Sequence, residues 1–490
     1  MQDTVPSASF LVAARAAVTA DYIRFHAAER PEAIAVVDNG RDVTYAGFAR
    51  DIRSVTRALH ELGLRRAARV AIDCGNIYWD WLLRLACEEL CLASATLAGR
   101  ESRRFGSALS DFDLVLSDED ALAGEGRRFQ AIAPEWMEAI LACSGEDEFP
   151  ALPKHPDDPV RILHTSGTTG TSKRLLYSRR MHERSIAQSL WYNGFTQSSR
   201  YLLAIPFTVG APAACVRMGG TVAIETRLRA ADAIVARGIT HTTLPPILLM
   251  RTLDNLPAGF VKPAELTVFC FGAEVSADLR KRALARLATE VCDMYGSNEI
   301  GFVSAARGPD AGTVWPGIEL EIVDDRDRVL PQGELGRIRV RTDCMPEGYL
   351  DDAEATRRMF RNGWFYAGDM GVLRGPRSLQ VVGRSDDLLN IGWNKIMPES
   401  LENLVLRAVQ AADAGVCSLP NADGIEEVHV ALAGVRIDDR ELAAELDRAL
   451  RGFQFGKIYA VKLPTIPRNV GGKIDRRLLK RAVLDSLGRS

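Results

Sequence analysis

The chain has 490 residues, of which 47% are hydrophobic and 26% charged, and its formal net charge is −3. This length suits about two to four domains of ordinary size. The near-balanced charge gives no indication of nucleic acid or an anionic membrane as the main partner. The nine cysteines are scattered, with neither a disulfide framework nor zinc-ligand spacing. The chain starts without a basic signal-peptide region and contains no apolar run of about 20 residues, which predicts a cytoplasmic protein without a membrane span.

The first part of the chain predicts alternating helices and strands. After Thr44, apolar residues recur at spacings of three and four, which indicates an amphipathic helix with Thr44 as its N-cap and Gly63 as its C-cap. A strand at 68–72 and an apolar helix through Trp79 and Leu85 follow. Alternation of this kind favours a parallel sheet flanked by helices.

A stretch rich in glycine and hydroxyl side chains follows a short apolar run that predicts a strand. Residues 163–173 have the sequence LHTSGTTGTSK, which does not suit a helix. Backbone N–H groups at glycine, hydroxyl donors and the mobile charge of Lys173 suit a polyphosphate ligand, and the alternative is a flexible surface loop rich in Ser and Thr. The spacing between Gly170 and Lys173 does not fit the Walker A motif of P-loop NTPases.

A second strand–helix–strand pattern spans residues 266–294. Its two strands are followed by polar, glycine-bearing loops at 272–274 and 295–299, and the stretch 163–173 also follows a strand. Open parallel sheets bind ligands beyond the carboxyl ends of their strands. We therefore expect these three loops to converge on one edge of a sheet.

The last part of the chain predicts two further regions. From about residue 312, short β-type runs alternate with turns. After residue 387 strands and helices return, with Leu442, Leu446 and Leu450 on one helix face. This pattern is enough for a small independent α/β domain.

Five motifs, taken in order, resemble those of the acyl-adenylate-forming superfamily, which groups acyl-CoA synthetases, carrier-protein adenylation domains and luciferases. The resemblance runs from about residue 44 to residue 476. The motifs are 165–173, similar to the family's phosphate loop; 295–299, similar to its Tyr-Gly-x-Thr-Glu motif; 363–369, similar to its Trp-Tyr-x-Thr-Gly-Asp motif; 383–386, similar to its interdomain hinge; and 467–476, similar to its lysine loop.

The resemblance implies an α/β fold of two parts. Residues 1–383 are expected to form a large N-terminal region of packed α/β sheet layers plus a small β portion. Residues 384–490 are expected to form a small, mobile C-terminal α/β domain that carries the catalytic lysine. The active site is then expected between the two parts.

The resemblance also implies an AMP-forming acid–thiol ligase. Such an enzyme uses ATP and Mg²⁺ to convert a carboxylic acid to an acyl-adenylate with release of pyrophosphate. The acyl group then passes to the pantetheine thiol of coenzyme A or of a carrier protein. Because the first step brings two anions together, the site has to neutralise charge and align the line of attack.

The family's site residues are carried over by motif. The phosphates of ATP are assigned to Thr165, Ser166, Gly167, Thr168, Thr169, Gly170 and Lys173, and the adenine to Gly272, Ala273, Glu274, Tyr295 and Gly296. The remaining assignments are Glu299 for Mg²⁺, Asp369 backed by Arg384 for the ribose hydroxyls, Asp386 for the hinge, and Lys473 for the bridge between the acyl carboxylate and the α-phosphate. Taken singly, each of these residues is better interpreted without a role in the site: Asp369 as a turn cap, Glu299 as a solvated acid and Lys473 as an exposed lysine. Their order and spacing together favour the functional ones.

The match has departures. Arg174 stands at the family's usual glycine after the lysine, and Asn298 and Ala367 replace usual threonines. An ungapped alignment places Trp393 at a usual glycine near the pantetheine entrance, whereas a gapped one places Gly392 there. Because a tryptophan there would narrow the thiol entrance, a ligase that uses an amine acceptor stays open as an alternative to a thioester-forming ligase. Two alternatives of other classes also stay open: a luciferase-like oxidase and a non-catalytic nucleotide-binding relative.

The substrate is predicted only by class. The stretch 205–210 lacks the aspartate that pairs with the ammonium group in members that activate α-amino acids. Because a buried unpaired ammonium is costly, we expect a carboxylic acid without a free α-amino group. Phe207, Phe271, Met294 and Phe302 are candidate pocket walls or, equally, core residues.

Overall fold

The structure is a computed structural model with a mixed α/β fold. It describes residues 17–97, 108–119, 128–143, 152–165, 173–204, 210–272, 274–308, 311–343, 345–384, 389–391, 394–396, 398–420, 426–450, 458–469 and 472–488. No helix within these residues combines the length and the apolar character needed to cross a membrane.

Helices and strands alternate through most of the chain. Up to residue 193 the elements are α1 (Thr19–Glu29), β1 (Ile34–Asp38), β2 (Arg41–Thr44), α2 (Tyr45–Glu61), β3 (Arg69–Asp73), α3 (Ile77–Glu89), β4 (Ala93–Thr96), β5 (Leu114–Ser117), β6 (Phe129–Ala131), α4 (Pro134–Ala142), β7 (Pro159–Thr165), β8 (Lys173–Ser178) and α5 (Arg179–Asn193). From there to residue 314 they are β9 (Arg200–Leu202), α6 (Gly210–Arg217), β10 (Thr221–Ile224), α7 (Ala230–Ala236), β11 (His241–Thr243), α8 (Pro246–Asp254), β12 (Thr267–Phe271), α9 (Ala277–Arg286), β13 (Glu290–Ser297), β14 (Gly301–Ala306) and β15 (Gly312–Val314).

The remaining elements begin with a run of strands and end with a smaller α/β part. They are β16 (Glu319–Val323), β17 (Gly336–Arg341), α10 (Ala353–Met359), β18 (Phe360–Arg361), β19 (Trp364–Gly375), β20 (Ser378–Arg384), β21 (Leu389–Ile391), β22 (Asn394–Ile396), α11 (Pro398–Ala408), β23 (Asp413–Pro420), β24 (Glu426–Ala433), α12 (Asp439–Leu450), β25 (Ile458–Lys462) and α13 (Arg476–Ser486).

One sheet carries the candidate phosphate stretch. Its six described strands have the order β6–β5–β3–β4–β7–β8. The pairs from β6 to β7 are parallel, and β8 then runs antiparallel to β7 with Thr165 opposite Lys173. The stretch therefore lies between the two strands of a hairpin.

A second, larger sheet carries the other motifs of the N-terminal region. Its order among the described residues is β16–β17–β19–β20–β15–β14–β13–β12–β11–β9–β10–β1–β2, with β18 beside β19. The pairs from β1 to β13 are parallel, and those from β13 to β16 are antiparallel. The predicted small β portion is thus an antiparallel continuation of an α/β sheet, and β13 belongs to both halves.

Helices packed between the two large sheets form the main apolar core. The cluster includes Phe48 and Leu59 from α2, Leu82 from α3 and Ile186 from α5, all fully buried, together with Val70 of β3. The predicted N-cap of α2 is confirmed, since the Thr44 hydroxyl accepts from the Gly47 N–H at 3.1 Å. The C-cap is Leu62 rather than the predicted Gly63, which follows it with a left-handed φ of +64°.

The C-terminal part has a small sheet and apolar clusters of its own. Its described strands have the order β23–β24–β25, and Leu401 and Val405 of α11 pack with Leu442 and Leu446 of α12 in one buried cluster. The helix α11 was not predicted. Residues 385–388, among them the predicted hinge residue Asp386, lie outside the described residues, so the domain boundary at 383 stays a prediction.

Candidate active site

The turn between β13 and β14 places Glu299. A Cβ atom at Gly296 would overlap the carbonyl oxygen of Gly301, so only glycine fits this close hairpin. Tyr295 and Gly296 lie within β13, and the prediction that they belong to a loop is wrong, because β13 continues as an antiparallel partner of β14. Glu299 is only 7% exposed, which excludes a solvated loop acid.

Glu299 and Lys173 contact the same aromatic residue. The hydroxyl of Tyr349 donates to Glu299 Oε1 at 2.8 Å, and the ammonium nitrogen of Lys173 lies 5.0 Å from the centroid of the Tyr349 ring. Lys173 comes from the smaller sheet and Glu299 from the larger one. Tyr349 therefore joins two motifs that are far apart in sequence, and no local pattern around it indicates this.

The phosphate hairpin lies beside the β13–β14 turn. The hydroxyl of Tyr177 on β8 donates to the carbonyl oxygen of Asn298. Residues 166–172 lie outside the described residues, and of Thr165 only the backbone is described. The prediction of one shared sheet edge is wrong, because the phosphate stretch belongs to one sheet and the 272–274 and 295–299 segments to another.

Asp369 is held by its strand neighbours. It lies within β19 opposite Arg384 of β20, which excludes a turn cap, and the Arg384 guanidinium is 3.7 Å from Asp369 Oδ1. The hydroxyl of Tyr295 donates to Asp369 Oδ2 at 2.8 Å. Burial raises the pKa of Asp369, although Arg384, the Tyr295 hydroxyl and Lys473 act in the opposite direction. Burial and Asp369 also raise the pKa of Tyr295, so its hydroxyl stays a hydrogen-bond donor.

Lys473 lies on a short hairpin-like loop near the C-terminus. Its N–H donates to the Asn469 side chain at 3.1 Å, and its carbonyl oxygen accepts from the Asn469 N–H at 2.8 Å. Arg468 pairs with Asp413 at 2.8 Å and anchors this loop to β23. Lys473 itself is exposed, and its charge lowers the pKa of Asp369 against the effect of burial.

Arg476, which ends the lysine motif, fixes the loop to α11. Its guanidinium pairs with Glu399 at 2.8 Å and also with Glu402, and it donates to the carbonyl oxygen of Val416 at 3.1 Å. Glu402 is buried and accepts from the Val416 N–H at 2.7 Å. Burial raises the pKa of Glu402, whereas the charge of Arg476 opposes this. No site role for Arg476 or Glu402 was predicted.

The candidate adenine segment directly follows β12. Gly272, the first residue after that strand, has a φ of +89°, and Ala273 lies outside the described residues. Partial desolvation and the charges of Asp293 and Glu399 raise the pKa of Glu274.

Three of the four candidate pocket residues lie together. Phe271, Met294 and Phe302 share one apolar cluster with Tyr192 of α5, whose ring is 6.4 Å from that of Phe302. They lie at or near the carboxyl ends of β12 and β13 and at the start of β14. Phe207 lies outside the described residues, as do Gly392 and Trp393 near the predicted thiol entrance.

The described acidic residues suit a metal ion whose coordination is completed by phosphate oxygens of a nucleotide. A group of three or more His, Cys, Asp or Glu side chains able to hold a metal ion is not found in the described part of the chain. Mg²⁺ typically takes one or two carboxylates together with phosphate oxygens and water. Glu299 fits this pattern, because it is buried, it is fixed at Oε1 by Tyr349, and Lys173 lies beside the same tyrosine.

Comparison with known proteins shows the family to which the chain belongs. The family model of AMP-binding enzymes matches residues 23–350. A fatty acid–[acyl-carrier-protein] ligase from Streptomyces coeruleorubidus is 26% identical, over 93% of this chain and 94% of that protein. An indoleacetate–CoA ligase from Aromatoleum aromaticum is also 26% identical, over 94% of this chain and 98% of that protein.

Solved structures share the fold. ATP-bound MatB from Rhodopseudomonas palustris superposes with a TM-score of 0.83 at 22% sequence identity. The match covers 95% of this chain and 99% of the MatB chain. The o-succinylbenzoate coenzyme A synthetase of Bacillus subtilis with ATP and magnesium has a TM-score of 0.79 at 23% identity, over 94% and 99% of the two chains. These likenesses confirm the predicted fold class, a large N-terminal region with a smaller C-terminal part. By its motifs and by the family model, the chain belongs to the family of AMP-binding enzymes.

Proposed function

We propose that this protein is an AMP-forming acid–thiol ligase. It activates a carboxylic acid with ATP to an acyl-adenylate, releases pyrophosphate, and transfers the acyl group to a pantetheine thiol. The observation that carries the proposal is the hydrogen bond from the Tyr295 hydroxyl to Asp369 at 2.8 Å, because it joins two of the recognised motifs that lie 74 residues apart along the chain. Two motifs of an adenylating enzyme thus lie at one site.

In this proposal the phosphates of ATP bind between the two large sheets. The hairpin loop 165–170 supplies backbone and hydroxyl donors, and Lys173 supplies a positive charge. Glu299 holds Mg²⁺, which neutralises charge on the phosphate oxygens when it is bound. The buried position of Glu299 strengthens its interaction with a cation, because the local dielectric is low.

The nucleoside binds along the larger sheet. Asp369 accepts hydrogen bonds from the ribose hydroxyls, and Arg384 and Tyr295 hold its carboxylate in place. The adenine lies against the segment Gly272 to Glu274 and the end of β13.

Lys473 acts on the reacting atoms. Its ammonium bridges the acyl carboxylate and the α-phosphate while negative charge is concentrated between them. The loop that carries it is fixed to α11 through Arg476, so Lys473 moves with the C-terminal domain at 384–490 as a unit. Asp386 is the hinge of that movement.

The substrate is an acid without a free α-amino group, and the acceptor is coenzyme A or a carrier protein. The stretch 205–210 offers no carboxylate for an ammonium group. The relatives named above are ligases for a fatty acid and for indoleacetate, and their acceptors are an acyl-carrier protein and coenzyme A. Phe271, Met294 and Phe302 then form apolar walls for the acyl group.

The experiment is ATP–pyrophosphate exchange driven by a panel of aliphatic, aromatic and amino acids, with Lys473→Ala beside the wild type. We expect exchange with one class of non-amino acids and none in the variant. Thioester formation is then measured with coenzyme A and with a pantetheinylated carrier protein. Efficient exchange with a standard α-amino acid would contradict the substrate class, and exchange without thioester but with amide formation would contradict the acceptor.

A further inference from the structure

We propose that Tyr349 is a positioning residue that fixes Glu299 and Lys173 relative to each other, so that Mg²⁺ and the phosphates of ATP meet a preset pair of charges. This inference rests on the proposed function. It concerns a residue that belongs to none of the recognised motifs.

The first observation is that one side chain serves two charges in two different ways. The Tyr349 hydroxyl holds one oxygen of Glu299 at 2.8 Å, and its ring face lies 5.0 Å from the Lys173 ammonium, within the range of a cation–π contact. The other oxygen of Glu299 keeps its acceptor capacity for a metal ion. Tyr349 thus orients the acid without competing for the metal position.

The second observation is that Tyr349 is itself held rigidly. Its N–H donates to the Thr356 hydroxyl at 2.9 Å, and its ring contacts that of Phe360 with centroids 5.6 Å apart. Gly348 has a φ of +157°, and a Cβ atom there would overlap the Thr356 methyl group. The segment that enters Tyr349 therefore requires glycine and has one position against α10.

The third observation connects this segment to the exit of the phosphate hairpin. The Leu350 N–H donates to the carbonyl oxygen of Arg174 at 2.8 Å, and the Arg174 guanidinium pairs with Asp351 and, at 2.6 Å, with Asp111. Arg174 follows Lys173 directly and stands where the family usually has glycine. This departure thus adds a side-chain link between the phosphate hairpin and the segment that carries Tyr349.

Tyr349 is only 8% exposed, so water competes little with its hydroxyl for Glu299. Placement of reacting groups matters strongly, since an error of about 1 Å in a positioned group costs on the order of 100-fold in rate.

The test compares Tyr349→Phe with a matched control, Tyr78→Phe. Tyr78 is also buried, donates to Asp51 at 2.8 Å and lies 5.2 Å from a cation, Arg41, but none of these residues belongs to the site. Two quantities are measured: the Mg²⁺ concentration for half-maximal ATP–pyrophosphate exchange, and ATP affinity by calorimetry with Mg²⁺ and with EDTA. The calorimetric readout does not depend on turnover.

We expect Tyr349→Phe to raise the Mg²⁺ requirement about tenfold, because a hydrogen bond to a charged group is lost. The gain in ATP affinity on adding Mg²⁺ should shrink by a similar factor, whereas affinity in EDTA stays within about twofold, since the ring remains over Lys173. Tyr78→Phe should lower the melting temperature without changing either quantity. Arg174→Gly, which keeps the tyrosine, should raise the Mg²⁺ requirement by about threefold.

An unchanged Mg²⁺ response in folded Tyr349→Phe, with only the loss of stability seen in Tyr78→Phe, would overturn the proposal. If Tyr349→Phe does not fold, Arg174→Gly takes its place, and an unchanged response in that variant would overturn it too. A wild type that binds ATP with Mg²⁺ but exchanges no pyrophosphate would contradict the proposed function alone. A wild type that binds no ATP would contradict both.

Discussion

The hydroxyl of Tyr295 donates to Asp369 at 2.8 Å, although β14, β15 and β20 lie between their two strands in the sheet order. In a flat sheet four strand spacings amount to about 19 Å, which a tyrosine side chain does not span. The antiparallel half of the larger sheet is therefore strongly curled. This curl returns the Asp369 motif to the end of β13 and makes one site from two segments.

Asp369→Asn tests the ribose assignment. The amide keeps the shape and can still accept from Tyr295, but it loses the charge that favours two hydroxyl donors. We expect AMP and ATP affinity, measured by calorimetry, to fall by about tenfold or more. The control is Asp278→Asn on the exposed first turn of α9, which should change neither the AMP affinity nor the ATP affinity.

The same carboxylate predicts an unusual pH dependence of nucleotide binding. Because the pKa of Asp369 is raised, its charge is lost at a higher pH than for an exposed aspartate, and nucleotide affinity should decline correspondingly early on acidification. Tyr295→Phe removes a donor that favours the ionised form, so the decline should begin at a still higher pH. Identical pH profiles for the wild type and Tyr295→Phe would contradict this coupling.

Sequence patterns predicted the local features and the order of the motifs. The cap at Thr44, the strand before the phosphate stretch and the β12–α9–β13 unit all follow from spacing over fewer than thirty residues. The start of α11 also has a local signal, although it was not predicted: Pro398 suits a first helical turn, and the buried Leu401 and Val405 are spaced as on one face.

The long-range relationships were not predictable in the same way. Tyr349 contacts Glu299 and Lys173 only because the two large sheets pack with the right offset, and a single tyrosine in an irregular segment has no periodic pattern. The curl that returns Asp369 to Tyr295 depends on strand order, which the residues of the two strands do not specify. Motif resemblance predicted Glu299 and Lys173, whereas the tyrosine between them follows only from the packing of the two sheets.

Lys473→Ala tests the role of the C-terminal lysine. Since the Lys473 side chain is exposed and the hydrogen bonds described for this residue come from its backbone, its truncation should leave the fold intact. We expect ATP–pyrophosphate exchange to fall by at least about 100-fold, because charge stabilisation in the transition state is lost. ATP affinity should stay within about threefold of the wild type, and an equal loss of both would indicate a structural lysine.

Arg476→Ala tests whether the lysine loop depends on its anchor to α11. The variant leaves Glu402 buried without its ion-pair partner, and we expect a loss of about 3–5 kcal/mol in the stability of the C-terminal part. Hydrogen exchange in α11 and β23 should accelerate, and pyrophosphate exchange should fall because Lys473 is no longer held. The control is Arg477→Ala, the exposed neighbour on the same helix, which should change stability by less than about 0.5 kcal/mol.

Glu88→Gln tests a buried charge cluster between α3 and α5, away from the candidate site. Glu88 is 5% exposed and faces His182 at 3.7 Å and Arg179 at 3.8 Å, with Arg217 also close. Burial raises the pKa of Glu88, but the surrounding cations more than compensate and lower it to about 2 from 4.5. The ionised acid therefore contributes about 3 kcal/mol at neutral pH.

The sign of the pH effect follows from this depressed pKa. The contribution is fully present above the unfolded-state value of 4.5 and is lost as the pH falls toward the folded-state value of about 2. Urea denaturation should show Glu88→Gln destabilised by about 3 kcal/mol at neutral pH, since Arg179, which is also buried, loses one carboxylate neighbour and is left with Asp158 at 3.7 Å. The difference in the free energy of unfolding between the variant and the wild type should become smaller by about 2 kcal/mol at roughly pH 3. Glu138→Gln, on the exposed side of α4, should show neither effect, and a gap that does not depend on pH would mean that Glu88 contributes through packing rather than through its charge.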